Sequence, residues 1–211
     1  NTLYTEGAPG ERWTERARLL GVNECEWAWG CHWLDGAGDG ALDLWVTNGF
    51  ASHSDPTRGD WQSLYWRQVL DDGLALMEGR KTRDVNADKP FLGSFNGYER
   101  DRYFVRALDG NDPERVWYDA GYAVGLDADH DGRASAPLDA DGDGDLDLIV
   151  QTVIGFAYYE NTSPPADALR LRLVEADGRT PALGATVMVD ARGQRVARHL
   201  ALVEGFQSQL L

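Results

Sequence analysis

The sequence predicts an all-β fold built from repeated strand–loop–strand units, and three observations carry that prediction. Two acidic loops, in "LDGAGDGALDLWV" and "LDADGDGDLDLIV", each run directly into an apolar strand. Each is preceded by a strand-like run, "EWAWGCHWL" and "ASAPL". One stretch alone, "GDWQSLYWRQVLDDGLALMEG", carries apolar residues at helical spacing. A recurring strand–hairpin–strand unit indicates a propeller or a solenoid, not a single compact sheet.

In the first strand, Trp27, Trp29, Cys31 and Trp33 fall on one face by period two. Cys25 and Cys31 are the two cysteines. Extended chain rises about 3.3 Å per residue, and a disulfide needs Cα atoms within roughly 7 Å, so a bridge between them requires an intervening turn. The "CEWAWGCH" spacing does not fit the C-x-x-C-H haem attachment pattern.

The acidic loops are clearest in the second copy. Asp139, Asp141, Asp143, Asp145 and Asp147 occupy every second position. Like charges so close repel unless a cation sits among them. Ca²⁺ takes six to eight oxygens at about 2.3–2.6 Å, and aspartates alternating with small residues can wrap carboxylates around one point. Gly142 and Gly144 permit the sharp turn. An EF-hand would close with a Glu at its twelfth position, where this chain has Val150, and the following "LDLIV" is β-rich. The pattern is therefore a calcium loop between strands. Asp139, Asp141, Asp143 and Asp147 are its side-chain ligands, and Asp145 offers its carbonyl with its side chain outward. The rival reading is a solvated acidic turn. The first loop places Asp35, Asp39 and Asp43 in the same frame, with Ala37 at the second ligand position and Gly40 at the glycine position. One carboxylate fewer predicts weaker calcium binding.

Between the copies, a helix is expected near 60–72, capped by Asp60, with Trp61, Leu64, Tyr65 and Val69 on one face and Gly73 ending it. The aromatic stripe reads as packing. Residues 81–90 read as loop. A third cluster, Asp127, Asp129 and Asp131, has Ser135 where the closing ligand belongs and Arg133 beside it, so a solvated loop is expected. After the Pro164-Pro165 linker the texture changes. "LRLRLVEADGR" alternates as a half-exposed strand, and two more strands flank Arg192-Gly193. The domain division is thus 1–163, a linker at 164–167, and a small β module at 168–211. Asn161-Thr162-Ser163 fits the glycosylation sequon, weakly beside a prolyl linker.

These residues resemble a known family. "NTLYTEGAPGERWTERARLLGV" followed by "EWAWGCHWLDGAGDGALDLWVTNG" resembles the FG-GAP/VCBS repeats of proteins related to cartilage acidic protein. "FNGYERDRYFV" and "AGYAVGLDADHDGRASAPLDADGDGDLDLIV" look like further repeats. "LRLRLVEADGRTPALGATVMVDARGQRVARHLALVEGFQSQ" is similar to the C-terminal ASPIC/UnbV module. The resemblance covers nearly the whole chain outside residues 51–90. It implies a β-propeller with calcium in its inter-strand loops, usually secreted or on the cell surface. Ala37 departs from the pattern. A propeller needs about four to eight blades, and two or three are recognisable here, so an incomplete propeller, a fragment of a longer protein, is expected.

The functional expectation follows. A net charge of −15 on 211 residues argues against nucleic acid, whose phosphates demand a basic face. No run reaches the 18 or so apolar residues of a membrane span. His32, His53, His130 and His199 are scattered, no nucleophile sits in a recognisable elbow, and no glycine loop suits a phosphate. His32 reads as an exposed strand residue. The leading expectation is a non-catalytic interaction or adhesion module, extracellular or periplasmic, with structural Ca²⁺. The alternatives are an accessory subunit of a larger membrane-associated complex, and an accessory or lectin domain of a hydrolase binding glycan through Trp61, Tyr65 and Trp66.

Overall fold

The computed structural model describes residues 1–6, 8, 10–52, 70, 72–80, 96–106, 117–164, 168–191 and 194–201. Among these residues the protein is mostly β, with eleven strands in four small antiparallel sheets and no closed barrel. β1 (Tyr4–Thr5) pairs with β2 (Thr14–Glu15). A four-stranded meander follows, in the order β3 (Gly30–Leu34), β4 (Asp43–Thr47), β5 (Arg102–Arg106), β6 (Trp117–Asp119). A three-stranded meander comprises β7 (Gly132–Leu138), β8 (Asp147–Thr152) and β9 (Gly155–Tyr159). β10 (Thr186–Ala191) and β11 (Gln194–His199) form a separate hairpin.

Side-chain alternation sets the core. β4 is buried along its whole length because both faces of its sheet are covered. Leu44 and Val46 point to one side, where Phe104, Cys25, Val22 and the short helix Ala17–Leu20 close over them. Trp45 points to the other side and joins Leu34 and Tyr103 against Leu148 and Val150 of β8. The register Leu44↔Phe104 and Trp45↔Tyr103 keeps like faces together. This second cluster joins the two meanders, with β3 packed along β7.

Several expectations change here. The period of two in β3 holds, but the strand starts at Gly30, after Glu26 at φ +47°. Its outward face carries Cys31 and Trp33, while His32 points inward and is 1% exposed, opposite to the exposed position expected. The reason is β7: burial lowers the imidazole pKa, and a backbone hydrogen bond at Ser135 opposes that shift. Cys25 and Cys31 are both free. Burial pushes the Cys25 thiol up to about 12. Most of the helix expected at 60–72, with Asp60, Trp61, Leu64, Tyr65, Trp66 and Val69, lies outside the described residues, as do the loop expected at 81–90 and His53. Gly73 does not end the helix, since 72–77 are helical. A helix interior tolerates glycine at about 1 kcal/mol. The stop comes at Gly79, φ +68°, where the Gly79 N–H bonds the Leu76 carbonyl and the Arg80 N–H bonds the Ala75 carbonyl.

In the C-terminal part the two strands around 192–193 form, but the strand expected over 169–173 does not. Only an isolated bridge, Val174↔Pro181, appears there. Alternating Leu and Arg gives that segment no continuous partner strand among the described residues. No helix among the described residues is long and apolar enough to cross a membrane.

Candidate metal centre

The second acidic loop is a hairpin connection closed by the Leu138↔Asp147 pair. Its aspartates bond the backbone just ahead of them. Asp139 Oδ1 accepts from the Gly142 N–H (2.7 Å), Asp141 Oδ1 from Asp143 (3.1 Å), and Asp143 Oδ1 from Asp145 (3.1 Å). Successive local bonds of this kind curl the chain. Gly142 at φ +86° and Gly144 at φ +100° take the left-handed angles the curl requires. One carboxylate oxygen from each of Asp139, Asp141 and Asp143 lies within 4.8 Å of the other two. Oxygens held about 2.3–2.6 Å from one Ca²⁺ lie no more than about 5 Å apart, so the three fit a shared dication.

The two remaining aspartates behave differently. Asp147, 1% exposed, accepts from the Ala140 N–H (3.0 Å) and the Asn161 N–H (2.8 Å). Burial pushes its carboxyl up, but those two donors and the Tyr158 hydroxyl outweigh burial and hold it below the usual range. Asp147 therefore closes the loop and is not one of the three gathered carboxylates. Asp145 does not point outward as expected. Both of its carboxylate oxygens are shielded from solvent and accept no hydrogen bond. Burial, then the charges of Asp143 and Asp147, raises its carboxyl pKa. The crowding of unrelieved carboxylates is what a cation in this loop would offset.

The first loop shares the plan without gathering its acids. It is closed by Leu34↔Asp43. Asp35 accepts from the Asp39 N–H (3.0 Å) and the Gly40 N–H (2.9 Å), and Asp39 accepts from Ala41 (2.8 Å). Asp43 is buried and accepts from the Tyr103 hydroxyl at 2.5 Å. Burial raises the Asp43 pKa and Tyr103 lowers it. Among the described residues, Asp35, Asp39 and Asp43 do not form a three-carboxylate group of the kind seen at Asp139, Asp141 and Asp143. Ala37 stands where the missing carboxylate would be.

The third cluster is solvated only in part: Asp129 is exposed, while Asp131 and Asp127 are tied to other segments. Asp131, at φ +54° and 5% exposed, accepts from the Ser52 N–H (2.5 Å) and the Ser52 hydroxyl (3.1 Å). Asp127 pairs with Arg100. Arg133 donates to the Gly49 carbonyl (2.7 Å) and the Phe50 carbonyl, and its guanidinium lies over Trp29, 4.6 Å from the ring centroid. Beside it, buried Asp101 accepts from the Asn48 N–H (2.7 Å) and faces His130 Nδ1 at 3.8 Å. Burial pushes the Asp101 carboxyl up to about 7, with the Asn48 bond opposing and Asp131 adding to the rise. These groups lock the end of the first meander onto β7.

Sequence reasoning missed the residues that tie the loops together. Asn161 donates from Nδ2 to the Gly36 carbonyl in the first loop (3.0 Å) and to the Leu146 carbonyl in the second (3.4 Å). The same amide is the sequon nitrogen, so it is already engaged. Tyr103 became visible only with the strand order. Arg198 reaches Asp35 at 3.3 Å, and Arg170 pairs with Asp139. No spacing signal in the sequence marks either arginine. Comparison of the chain with protein-family models, curated proteins and solved structures returns no match.

Proposed function

We propose that this chain is a non-catalytic interaction module whose β-hairpins are stabilised by Ca²⁺, as the resemblance to FG-GAP/VCBS repeats implies. The observation that carries this reading is the gathering of Asp139, Asp141 and Asp143 in a loop whose neighbour, Asp145, has no hydrogen-bond donor. When bound, Ca²⁺ would neutralise these carboxylates. Asp139, Asp141 and Asp143 would hold it, Asp145 would complete the charge, and Asp147 would keep the loop shut through Ala140 and Asn161. Two meanders packed face to face, each opened by an acidic hairpin, are compatible with neighbouring propeller blades. The C-terminal hairpin is compatible with an ASPIC/UnbV-like module. An extracellular or periplasmic setting suits the reading, because calcium there keeps weak modules, with affinities of about 10⁻⁴–10⁻³ M, filled.

A second reading, an accessory subunit in a larger complex, is favoured by the outer edge of the second meander. Val153, Ile154, Phe156 and Tyr158 are all exposed there. The residues named for glycan binding lie outside the described part of the chain.

The calcium reading is tested by melting the protein in Ca²⁺ and in EGTA. The chelator is expected to lower the melting temperature by several degrees, since an empty loop keeps its repulsion. Asp143→Ala should melt equally in both buffers. A wild-type melt that ignores EGTA contradicts the reading.

A further inference from the structure

The two acidic loops stand at the same end of the two meanders, tied by Asn161, and each receives one arginine from the C-terminal part of the chain. Arg170 pairs with Asp139, the first of the three gathered carboxylates. Ala168 lies against the same loop, so close that a Cβ placed on Gly144 would meet the Ala168 Cβ at 3.0 Å. Arg198, on β11, donates to Asp35 (3.3 Å) and to the Gly40 carbonyl (3.5 Å). Among the described residues the hairpin β10–β11 shares no sheet with another strand, and Arg198 is the side chain that ties it to the first loop. On an acidic chain with 20 Lys and Arg against 35 Asp and Glu, two of the cations are placed on the two loops that repeat the same acidic pattern.

We propose that Arg170 clamps the second acidic loop in competition with divalent cations while Arg198 holds the first loop, so that Ca²⁺ binding at Asp139, Asp141 and Asp143 and docking of the Arg170 segment oppose each other. This rests on the calcium reading given above. Asp139 cannot offer the same oxygen fully to a guanidinium and to Ca²⁺, and a monopositive and a dipositive group held a few ångströms apart on shared carboxylates repel. Linkage makes the effect reciprocal: whatever factor Arg170 costs in calcium affinity, Ca²⁺ costs in the docking of Arg170. The pairs are partly exposed, Arg170 with 77% and Arg198 with 41% of the side chain accessible, so the effect is modest. Exposed pairs correspond to roughly a twofold to fivefold change each. The second acidic loop thereby reads ambient calcium and reports it as the freedom of the segment that carries Arg170.

The test is a calcium titration of the full chain by calorimetry, comparing wild type with Arg170→Gln, Arg198→Gln and the double variant. Arg195→Gln serves as the charge-matched control, because Arg195 is on the same hairpin but pairs with Asp190. Arg170→Gln and the double variant are expected to bind Ca²⁺ about twofold to fivefold more tightly, with Arg198→Gln and Arg195→Gln unchanged. Equal affinity in wild type and double variant overturns the competition, as does equal tightening by Arg195→Gln, which would reduce it to net charge. A second measurement needs no metal: a double-mutant cycle of Arg170→Gln with Asp139→Asn, read as melting temperature in EGTA. Non-additive melting shifts support the clamp. Zero coupling, with wild-type calcium binding intact, removes the clamp and leaves the calcium reading standing. If neither protein binds Ca²⁺, the calcium reading and the competition fall together.

Discussion

Asp101 has its side chain wholly out of water, one oxygen satisfied by Asn48 and the other without a donor. Asp131 and Tyr159 surround the pair it makes with His130. Its folded pKa of about 7 lies above the ordinary 3.8. Between those values the folded protein holds a proton that the unfolded chain has lost, so stability falls as pH rises through this window and levels off above it. The span corresponds to a loss on the order of 4 kcal/mol. Asp101→Asn keeps an acceptor for Asn48 and removes the buried charge. Urea unfolding at pH 5 and pH 8 should show the variant stabilised by about 1–3 kcal/mol at pH 8, with a flatter pH dependence. A second residue-scale test concerns Asp43. Tyr103→Phe deletes a 2.5 Å hydrogen bond to a buried carboxylate and should cost about 1–3 kcal/mol in the same assay.

The two acidic hairpins show what the sequence could convey about an element and what it could not. Alternation of aspartates with small residues located both loops and the strands that follow, because the side-chain period of a strand and the glycine demand of a tight turn are local properties. The roles within the loop were less legible. Asp147 and Asp43, at the closing position, turned out to be buried and saturated by partners distant in sequence, Asn161 and Tyr103. His32 was misread for a similar reason. Period two gives the two faces of a strand but not which face meets another sheet, and β7 decided that. The Leu/Arg alternation at 169–173 shows the converse: among the described residues it meets no neighbouring strand, and no strand forms. A prediction at this scale isolates the turn itself. Gly142 sits at φ +86° with open space around its Cβ position, so Gly142→Ala adds backbone strain and no clash. It should destabilise the protein by about 1–2 kcal/mol in thermal or urea unfolding.

At the scale of the molecule, three connections hold the two meanders together. The apolar cluster of Trp45, Tyr103, Leu34, Leu148 and Val150 joins the two meanders. The Asp131–Ser52 and Arg133–Gly49 contacts pin one end, and Asn161 spans the two loops. Asn161→Ala removes both inter-loop bonds, and the bond its Oδ1 accepts from the Ser163 N–H (3.0 Å), while keeping the N–H that serves Asp147. It should lower stability by about 1–2 kcal/mol, and calcium should weaken with it if the loops are coupled through this residue. The sequence showed the repeat and the change of texture after residue 163, because both are compositional. It showed none of these three connections, since each depends on which sheet faces which.

The measurement that bears most directly on the account is a calcium titration of metal-stripped protein beside the Asp141→Asn, Asp143→Asn double variant. Saturable binding is expected in the wild type, and the variant should lose it while its secondary structure in chelator matches the wild type's. Absence of binding in the wild type, or identical isotherms for the two proteins, would contradict it.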